Sequence, residues 1–208
     1  RCTGFKVDPP PHNKKYFEDQ ISAVRNYYLS ISDNNIHSFE FVVLDDVYQV
    51  DNNMAYYSLI SDYDDPDDGI ASLFSEGLEK ASADIDLYLY DNNLNHSEVL
   101  IVMFHAGVGE DYGFDGYIDP ANYDIRSAYI EESMLGIVDS DSWMKRRGIS
   151  RGILLPETLN LIYYDTVEDI YGYNDQGLCT IQVAMTGLFA FLLGYEFGLP
   201  EMFDRETG

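Results

Sequence analysis

Three positions near the end of the chain, 191, 192 and 195, have the spacing that a metal site on a helix requires. In the motif His-Glu-x-x-His, the two histidines lie at i and i+4 on one helix face and bind zinc, and the glutamate beside the first acts as general base. The segment closes with Gly198-Leu199-Pro200, as such helices do. The frame of a zinc site is therefore present in this sequence.

The side chains at these positions do not suit that chemistry. Phe191 stands at the first ligand position, Leu192 at the base position and Tyr195 at the second ligand position. Phenylalanine has no donor atom, and a tyrosine, with a pKa of about 10, binds a metal only after it loses its proton. Zinc needs three protein ligands and an open position. We therefore expect no zinc and no catalytic residue at this frame.

Two acidic loops are the other candidate metal sites. The first runs from Ser61 to Gly69 and the second from Glu110 to Tyr123. Crowded carboxylates repel one another unless a cation lies among them, and calcium takes about six to eight oxygen ligands. In the first loop Pro66 interrupts the spacing of an EF-hand, so that loop is either a solvated acidic turn or a calcium site. The second loop is a candidate calcium or partner-binding loop. The candidate calcium ligands are Asp62, Asp64, Asp65, Asp67, Asp68, Asp111, Asp115 and Asp119.

The histidines offer one further candidate. His105 follows the hydrophobic run 99–104, and we interpret it as a residue at a strand end that hydrogen-bonds to a nearby loop, with a catalytic role as the alternative. A zinc site with unusual ligands would require Tyr195, Glu201 and His105 to converge, and it would have no evident base. The other histidines show no metal-ligand spacing among themselves: His12, His37 and His96.

Composition limits the class of protein. The chain has 208 residues, of which 46% are hydrophobic and 14% aromatic, so we expect one domain, 1–208, with a sizeable core. Acidic residues outnumber basic ones 37 to 12, for a net charge of -25. Such a surface repels nucleic acid and anionic membranes and suits a secreted protein, a saline habitat or calcium binding. No apolar run is long enough to predict a transmembrane span.

The same composition suggests a partner. The chain contains 18 tyrosines, a residue type that is common at contact surfaces. Either these tyrosines belong to the core and the ordinary surface, or they form a contact surface for a protein or glycan partner or for further copies of the chain. The sequence starts at Arg1, so we expect a processed or trimmed N-terminus. Cys2 and Cys179 either form one disulfide, as in secreted proteins, or are two buried thiols.

Hydrophobic periodicity predicts an α/β or α+β domain. Residues 14–32 form a strong amphipathic helix, and the uninterrupted apolar run 99–104 is typical of a central strand buried on both faces. The cluster Lys145-Arg146-Arg147 is either an exposed turn or an internal partner for acidic residues. We predict further strands at 36–44, 47–50, 128–130 and 152–155, a helix at 70–83, an ambiguous segment at 84–90, a polar segment at 163–177 and a final buried helix at 180–197.

Five pieces of the sequence, in this order, resemble the secreted zinc metallopeptidases of the immune inhibitor A type. Each piece is weak alone, and the closing one is the most specific. The pieces are Pro11 to Phe17 with Asn26-Tyr27-Tyr28, Met54-Ala55-Tyr56-Tyr57, Phe104 to Gly109, Leu154 to Thr158, and Gly187 to Asp204.

The closing segment of that family resembles Ala-His-Glu-x-Gly-His-x-x-Gly-Leu-Pro. The flanking positions match, and the three positions that do the chemistry depart from the pattern. In related zincins a third ligand lies six residues beyond the second, where this chain has Glu201. The matching residues are Ala190, Gly194, Gly198, Leu199 and Pro200.

The resemblance implies a zincin-like fold, in which a mixed twisted sheet packs against a long central helix and an N-terminal amphipathic helix. It also implies secretion and a peptidase domain that continues beyond Gly208 to complete the cleft. With the zinc positions replaced, we expect an inactive metallopeptidase-like extracellular domain with a binding, structural or self-assembly role. The alternative is an active secreted metalloendopeptidase with atypical metal ligands.

Overall fold

The structure, a computed structural model, describes residues 10–33, 35–60, 67–109, 124–168 and 174–199. It confirms a mixed α/β fold. Short 3₁₀ turns lie at His96–Glu98 and Glu132–Ile137. The helices are α1 (Lys14–Ile31), α2 (Met54–Ile60), α3 (Asp67–Asp91), α4 (Trp143–Arg146) and α5 (Thr186–Glu196), and the strands are β1 (Ile101–Gly109), β2 (Ala128–Ile130), β3 (Gly152–Glu168) and β4 (Asn174–Val183).

The sheet is built around β3. β1 runs parallel to its first half, from Ile101 opposite Gly152 to Gly109 opposite Leu159. β2 lies antiparallel along the start of β3, and β4 lies antiparallel along its later part. The strand order is β1-β3-β2, with β4 also paired to β3.

Helices cover both faces of this sheet. Because side chains alternate along a strand, Ile153 and Leu155 point to one face and Leu154 points to the other. The first face packs against α1 and α5, and the second packs against α2, α3 and α4. The core of the first face comprises Ile21, Val24, Tyr28, Ile153, Leu155, Phe189, Leu192 and Leu193.

The predicted amphipathic helix at the N-terminal end is confirmed as α1. The side chain of Asn13 caps it by accepting a hydrogen bond from the Tyr16 amide at 3.2 Å. The predicted apolar face comprised Phe17, Ile21, Val24, Tyr28 and Ile31. The middle three are buried against the sheet and Phe17 is partly buried, but Ile31, at the end of the helix, is 54% exposed. This face is what fixes α1 beside α5.

Helix α3 is longer than the predicted helix 70–83 and includes the ambiguous segment 84–90. Its acidic first turn, Asp67 and Asp68, lies where carboxylates stabilise a helix dipole. Leu89 is buried near its end, so the inward face continues through the segment that the sequence left ambiguous.

Asp86 of α3 holds α4 in place. Its carboxylate accepts hydrogen bonds from Trp143 Nε1 at 3.2 Å and Arg147 Nη2 at 2.7 Å, and it lies 2.8 Å from His96 Nε2. Partial burial acts to raise the pKa of Asp86, but these three partners outweigh it and leave that pKa lowered. Arg147 therefore serves as an internal partner for an acidic residue, which is one of the two roles expected for the basic cluster.

Two predicted strands are wrong. Residues 36–44 and 47–50 lie outside every ladder of the described sheet. Phe39, Phe41 and Val43 nevertheless pack against the α1 and α5 core with a period of two, as a strand would. The aromatic and β-branched pattern thus sets which side chains are buried, but it does not specify a pairing partner.

The predicted position of the run 99–104 in the sheet is also wrong. The strand forms as β1, but it lies at one edge of the described sheet, and β3 takes the centre. Val102 and Phe104 pack on the α1 and α5 face and Met103 on the other, so the run is apolar because helices cover both faces. Burial of both faces does not determine whether a strand has one neighbour or two.

The C-terminal part departs most from expectation. The predicted polar segment 163–177 lies largely in β3 and β4, which pair from Leu159–Val183 to Glu168–Asn174. The final helix begins at Thr186, not at residue 180. A short apolar run cannot be assigned to strand or helix by periodicity alone, and the β-branched residues of 180–183 favoured the strand. Among the described residues, no helix is long and apolar enough to cross a membrane.

Gly69 should be intolerant of any side chain. A Cβ at this position would lie 1.7 Å from the carbonyl oxygen of Tyr57, where α2 crosses α3. We expect Gly69→Ala to lower the free energy of unfolding by about 1–3 kcal/mol or more, because backbone must separate from backbone. Gly136→Ala, which would meet no atom within 4 Å, is the control in urea denaturation. Equal stability of the two variants would contradict this packing.

Candidate functional site

The zinc-frame positions of α5 form an aromatic contact. Phe191 and Tyr195, one helical turn apart, have ring centroids separated by 5.3 Å in an edge-to-face arrangement. The Tyr195 ring also lies 5.7 Å from that of Tyr129 on β2. Where two imidazoles would converge on a metal, two rings pack on each other and on the sheet.

The position of the general base is a core position. Leu192 is 6% exposed and belongs to the cluster that joins α1, α5 and the sheet. Burying a leucine side chain contributes roughly 1.5–3 kcal/mol. The residue at the base position therefore contributes to folding and presents no proton-transfer group.

Gly198, the glycine that closes the motif, is required by the backbone conformation at the end of α5. Gly198 has a φ of 74°, and its amide donates to Tyr195 O at 2.9 Å. The Leu199 amide donates to Gly194 O at 3.0 Å. This pair of bonds is the Schellman arrangement, which ends a helix through a residue in the left-handed region. The Gly-Leu part of the frame thus ends the helix whether or not a metal is bound.

Gly194 allows α1 to approach α5 closely. The Tyr28 hydroxyl donates to Ala190 O at 2.6 Å, and burial raises the pKa of Tyr28. A Cβ at position 194 would lie 3.0 Å from that hydroxyl and 3.1 Å from Leu199 Cδ1. The small residue therefore serves a contact between helices.

Glu196 is the acidic group of α5. The Tyr129 hydroxyl donates to Glu196 Oε2 at 2.9 Å, and Arg151 Nη2 lies 3.1 Å from Oε1. Burial and then the carboxylate raise the pKa of Tyr129 to about 12. Both carboxylate oxygens of Glu196 therefore have protein partners.

His105 lies away from the α5 positions. It is 9% exposed within β1, and its Nδ1 lies 3.1 Å from Ala106 O. By strand alternation it shares a face with Met103, whereas Phe104 packs toward α5 with its ring 6.1 Å from that of Phe189. The structure therefore does not bring His105 together with Tyr195, and Glu201 lies outside the described residues.

The first acidic loop is described only at its end. Asp67 forms an ion pair with Arg126, and Asp68 follows it in the first turn of α3. Among the described residues, no group of three His, Cys, Asp or Glu side chains could hold a metal ion. The remaining calcium candidates lie outside the described residues: Asp62, Asp64, Asp65, Asp111, Asp115 and Asp119. Cys2 and the side chain of Cys179 also lie outside the described part of the structure.

A polar cluster that spacing did not predict lies on the α1 side of the sheet. His12 Nδ1 is 2.5 Å from Glu157 Oε1, and the His12 side chain is only 8% exposed. Glu157 Oε2 accepts the Gly107 amide at 3.2 Å. The Tyr16 ring stacks on the His12 ring at 4.2 Å, and its hydroxyl donates to Glu157 O at 3.2 Å.

This cluster joins three of the five sequence pieces that carry the family resemblance. His12 precedes α1, Gly107 lies within the register shift of β1 between His105 and Val108, and Glu157 lies on β3. Because these residues are distant in the chain, no local spacing could predict the contact between His12 and Glu157. The useful signal was the charged Glu157 shortly after the apolar run 153–155 and Pro156, where an acid on a buried strand requires a partner.

Leu192→Glu should show whether position 192 is a core position or part of a polar pocket that remains from a zinc site. A carboxylate at this buried position would have no partner among the apolar side chains of the cluster, so we expect a loss of at least about 3 kcal/mol in the free energy of unfolding at pH 7. The loss should shrink toward pH 4, where the carboxyl protonates. Leu87→Glu, at a 58% exposed site on α3, should change stability by less than about 0.5 kcal/mol. Equal costs for the two variants would contradict the packing role.

Tyr129 should make stability depend on alkaline pH. Its pKa is raised to about 12, so the stability it contributes is present below about pH 10 and is lost as the pH rises through 12. Tyr129→Phe should therefore lose less stability than the wild type between pH 10 and 12, measured by urea unfolding. Tyr90→Phe, at an 83% exposed site, should lose as much stability over this pH range as the wild type does. A steeper dependence in Tyr129→Phe would refute the assignment.

Comparison with protein-family models, with curated proteins and with solved structures finds no match. The resemblance to the immune inhibitor A type stays a prediction, which rests on the sequence pieces quoted above.

Proposed function

We propose that this chain is a non-catalytic, metallopeptidase-like extracellular domain that binds a partner or assembles with further copies of itself. The observation that carries the proposal is the packing of α5. Phe191 and Tyr195 contact each other as rings, and Leu192 is 6% exposed in the core. These three positions would supply the ligands and the base of a working zinc site.

The chemistry of the α5 side chains supports the loss of activity. Zinc-bound water reaches a pKa of about 7 only when the metal is held, and a missing general base forfeits roughly 10²- to 10⁴-fold in rate. The carboxylate of Glu196 lies one residue after the second ligand position and is bonded to Tyr129 and Arg151. The described part of α5 therefore offers neither a zinc ligand set nor a base.

A binding role fits the surface chemistry. The net charge is -25, and exposed aromatic side chains include Tyr27, Tyr56 and Tyr90. Tyrosine offers a large apolar contact area and a polar tip, which suits protein and glycan partners. Secretion and calcium binding by the acidic loops belong to the same proposal, and both are supported by the acidic composition.

The competing function is an active metalloendopeptidase that uses Tyr195, Glu201 and His105. It would require His105 to reach the α5 side of the sheet, and its strand position places it on the opposite face. The geometry of the described residues therefore favours the non-catalytic proposal.

Metal analysis of the purified protein tests the proposal. After dialysis against buffer without chelator, we expect less than about one zinc per ten chains, and no cleavage of unfolded casein above a buffer control. Calcium measured on the same sample tests the acidic loops, with bound calcium expected to disappear after dialysis against EGTA. Stoichiometric zinc together with cleavage that EDTA abolishes would overturn the proposal and restore the peptidase function.

A further inference from the structure

The segment 36–44 has the side-chain pattern of a strand, but it pairs with no strand of the described sheet. Phe39, Phe41 and Val43 are partly buried against the α1 and α5 core, and Glu40 and Val42 between them are exposed. This period of two is typical of a strand on a half-buried surface. Within the described ranges, no backbone hydrogen bond joins residues 36–44 to any other segment.

Side-chain contacts hold the inward face of this segment in place. The Arg25 guanidinium lies over the Phe41 ring, 5.4 Å from its centroid, and the Phe39 ring lies 6.3 Å from the Phe197 ring. Both contacts fix the inward face of the segment to helices α1 and α5. The inward side chains are therefore already ordered before a partner strand binds, which reduces the entropic cost of pairing.

We propose that residues 36–44 bind an extended, positively charged peptide by β-strand addition. In this mode of recognition, main-chain hydrogen bonds supply affinity and alternate side chains supply specificity. The peptide would place apolar residues beside Phe39, Phe41 and Val43 and cationic residues beside Glu40. A segment of this length spans about 30 Å and accommodates about nine peptide residues.

The charge of the surroundings selects a cationic partner over a second copy of this chain. Glu40, Asp33 and Asp46 are exposed around the segment, and the neighbouring Asp45 is paired with Lys14 at 2.6 Å. Antiparallel pairing of two copies about their centres would place Glu40 opposite Glu40 and bring together two bodies of charge -25. Like charges directly opposite destabilise a strand pair.

This inference names the partner class for the binding role proposed above, and it rests on that role. Its failure can be told apart from a failure of the non-catalytic proposal. Zinc content and peptidase activity test α5, whereas the peptide experiment reads out residues 36–44.

The test uses a nine-residue peptide of alternating Lys and Val, blocked at both ends, titrated into the protein at low salt. We expect saturable binding and slower amide hydrogen exchange within residues 36–44. A peptide with N-methylated alternate amides, which has lost half of its donors, should bind at least tenfold more weakly. An alternating Glu and Val peptide should not bind.

Matched charge variants identify the binding site. Glu40→Lys should weaken binding of the Lys-Val peptide by roughly two- to fivefold, the range for an exposed ion pair. Glu132→Lys changes the net charge equally at an exposed position on the 3₁₀ turn after β2 and should bind as the wild type does. Equal weakening in both variants, unchanged exchange in 36–44, undiminished binding of the N-methylated peptide, or a dimer in sedimentation that competes with the peptide would each overturn the proposal.

Discussion

The structure depends on the first three residues of β3, Gly152 to Leu154, which have neighbours on every side. β1 and β2 flank them in the sheet, and Ile153 and Leu154 are fully buried against opposite helical layers. At Gly152 a Cβ would lie 2.2 Å from Phe74 Cζ, so α3 packs directly on the backbone of the strand. No free volume remains where α3 crosses β3. The positions of the two helical layers and of the sheet therefore depend on one another.

The packing at β3 explains how α5 can keep the backbone of a zinc-site helix without a metal. The apolar face of β3 requires an apolar helix above it, and α5 supplies Phe189, Leu192 and Leu193 for that purpose. Its end is determined by Gly198 and its closeness to α1 by Gly194. Each feature has a cause in packing or backbone conformation, so the frame is stable with Phe191 and Tyr195 as packing residues.

The sequence predicts those parts of the fold that depend on local periodicity. The amphipathic pattern of α1 predicts five apolar positions, of which Ile21, Val24 and Tyr28 are confirmed as buried, whereas Ile31 at the end of the helix is 54% exposed. β2 is confirmed at 128–130, and the predicted strand 152–155 forms the start of β3. In all of these segments, burial of one stripe or run decides the local structure.

The parts that the sequence does not predict depend on pairing between distant residues. The position of β1 at an edge follows from the partners of β3, and β4 forms because its β-branched end pairs with β3. Residues 36–44 have the side-chain pattern of a strand and no partner in the described sheet. Of the candidate site, spacing identifies the α5 positions, but contact between His12 and Glu157 appears only in three dimensions.

The chain has more carboxylates than cationic side chains, and tyrosine hydroxyls act as hydrogen-bond donors to some of these carboxylates. With 37 acidic and 12 basic residues, most carboxylates cannot have a cationic partner. Hydroxyl groups take that place, as Tyr57 donates to Glu76 at 2.6 Å and Tyr48 donates to Asp84 at 2.7 Å. Burial and then the hydrogen bond raise the pKa of Tyr57 to about 12, so this donor stays neutral at physiological pH. A neutral donor satisfies a carboxylate without cancelling its charge, and the surface therefore keeps a negative potential that attracts cationic partners.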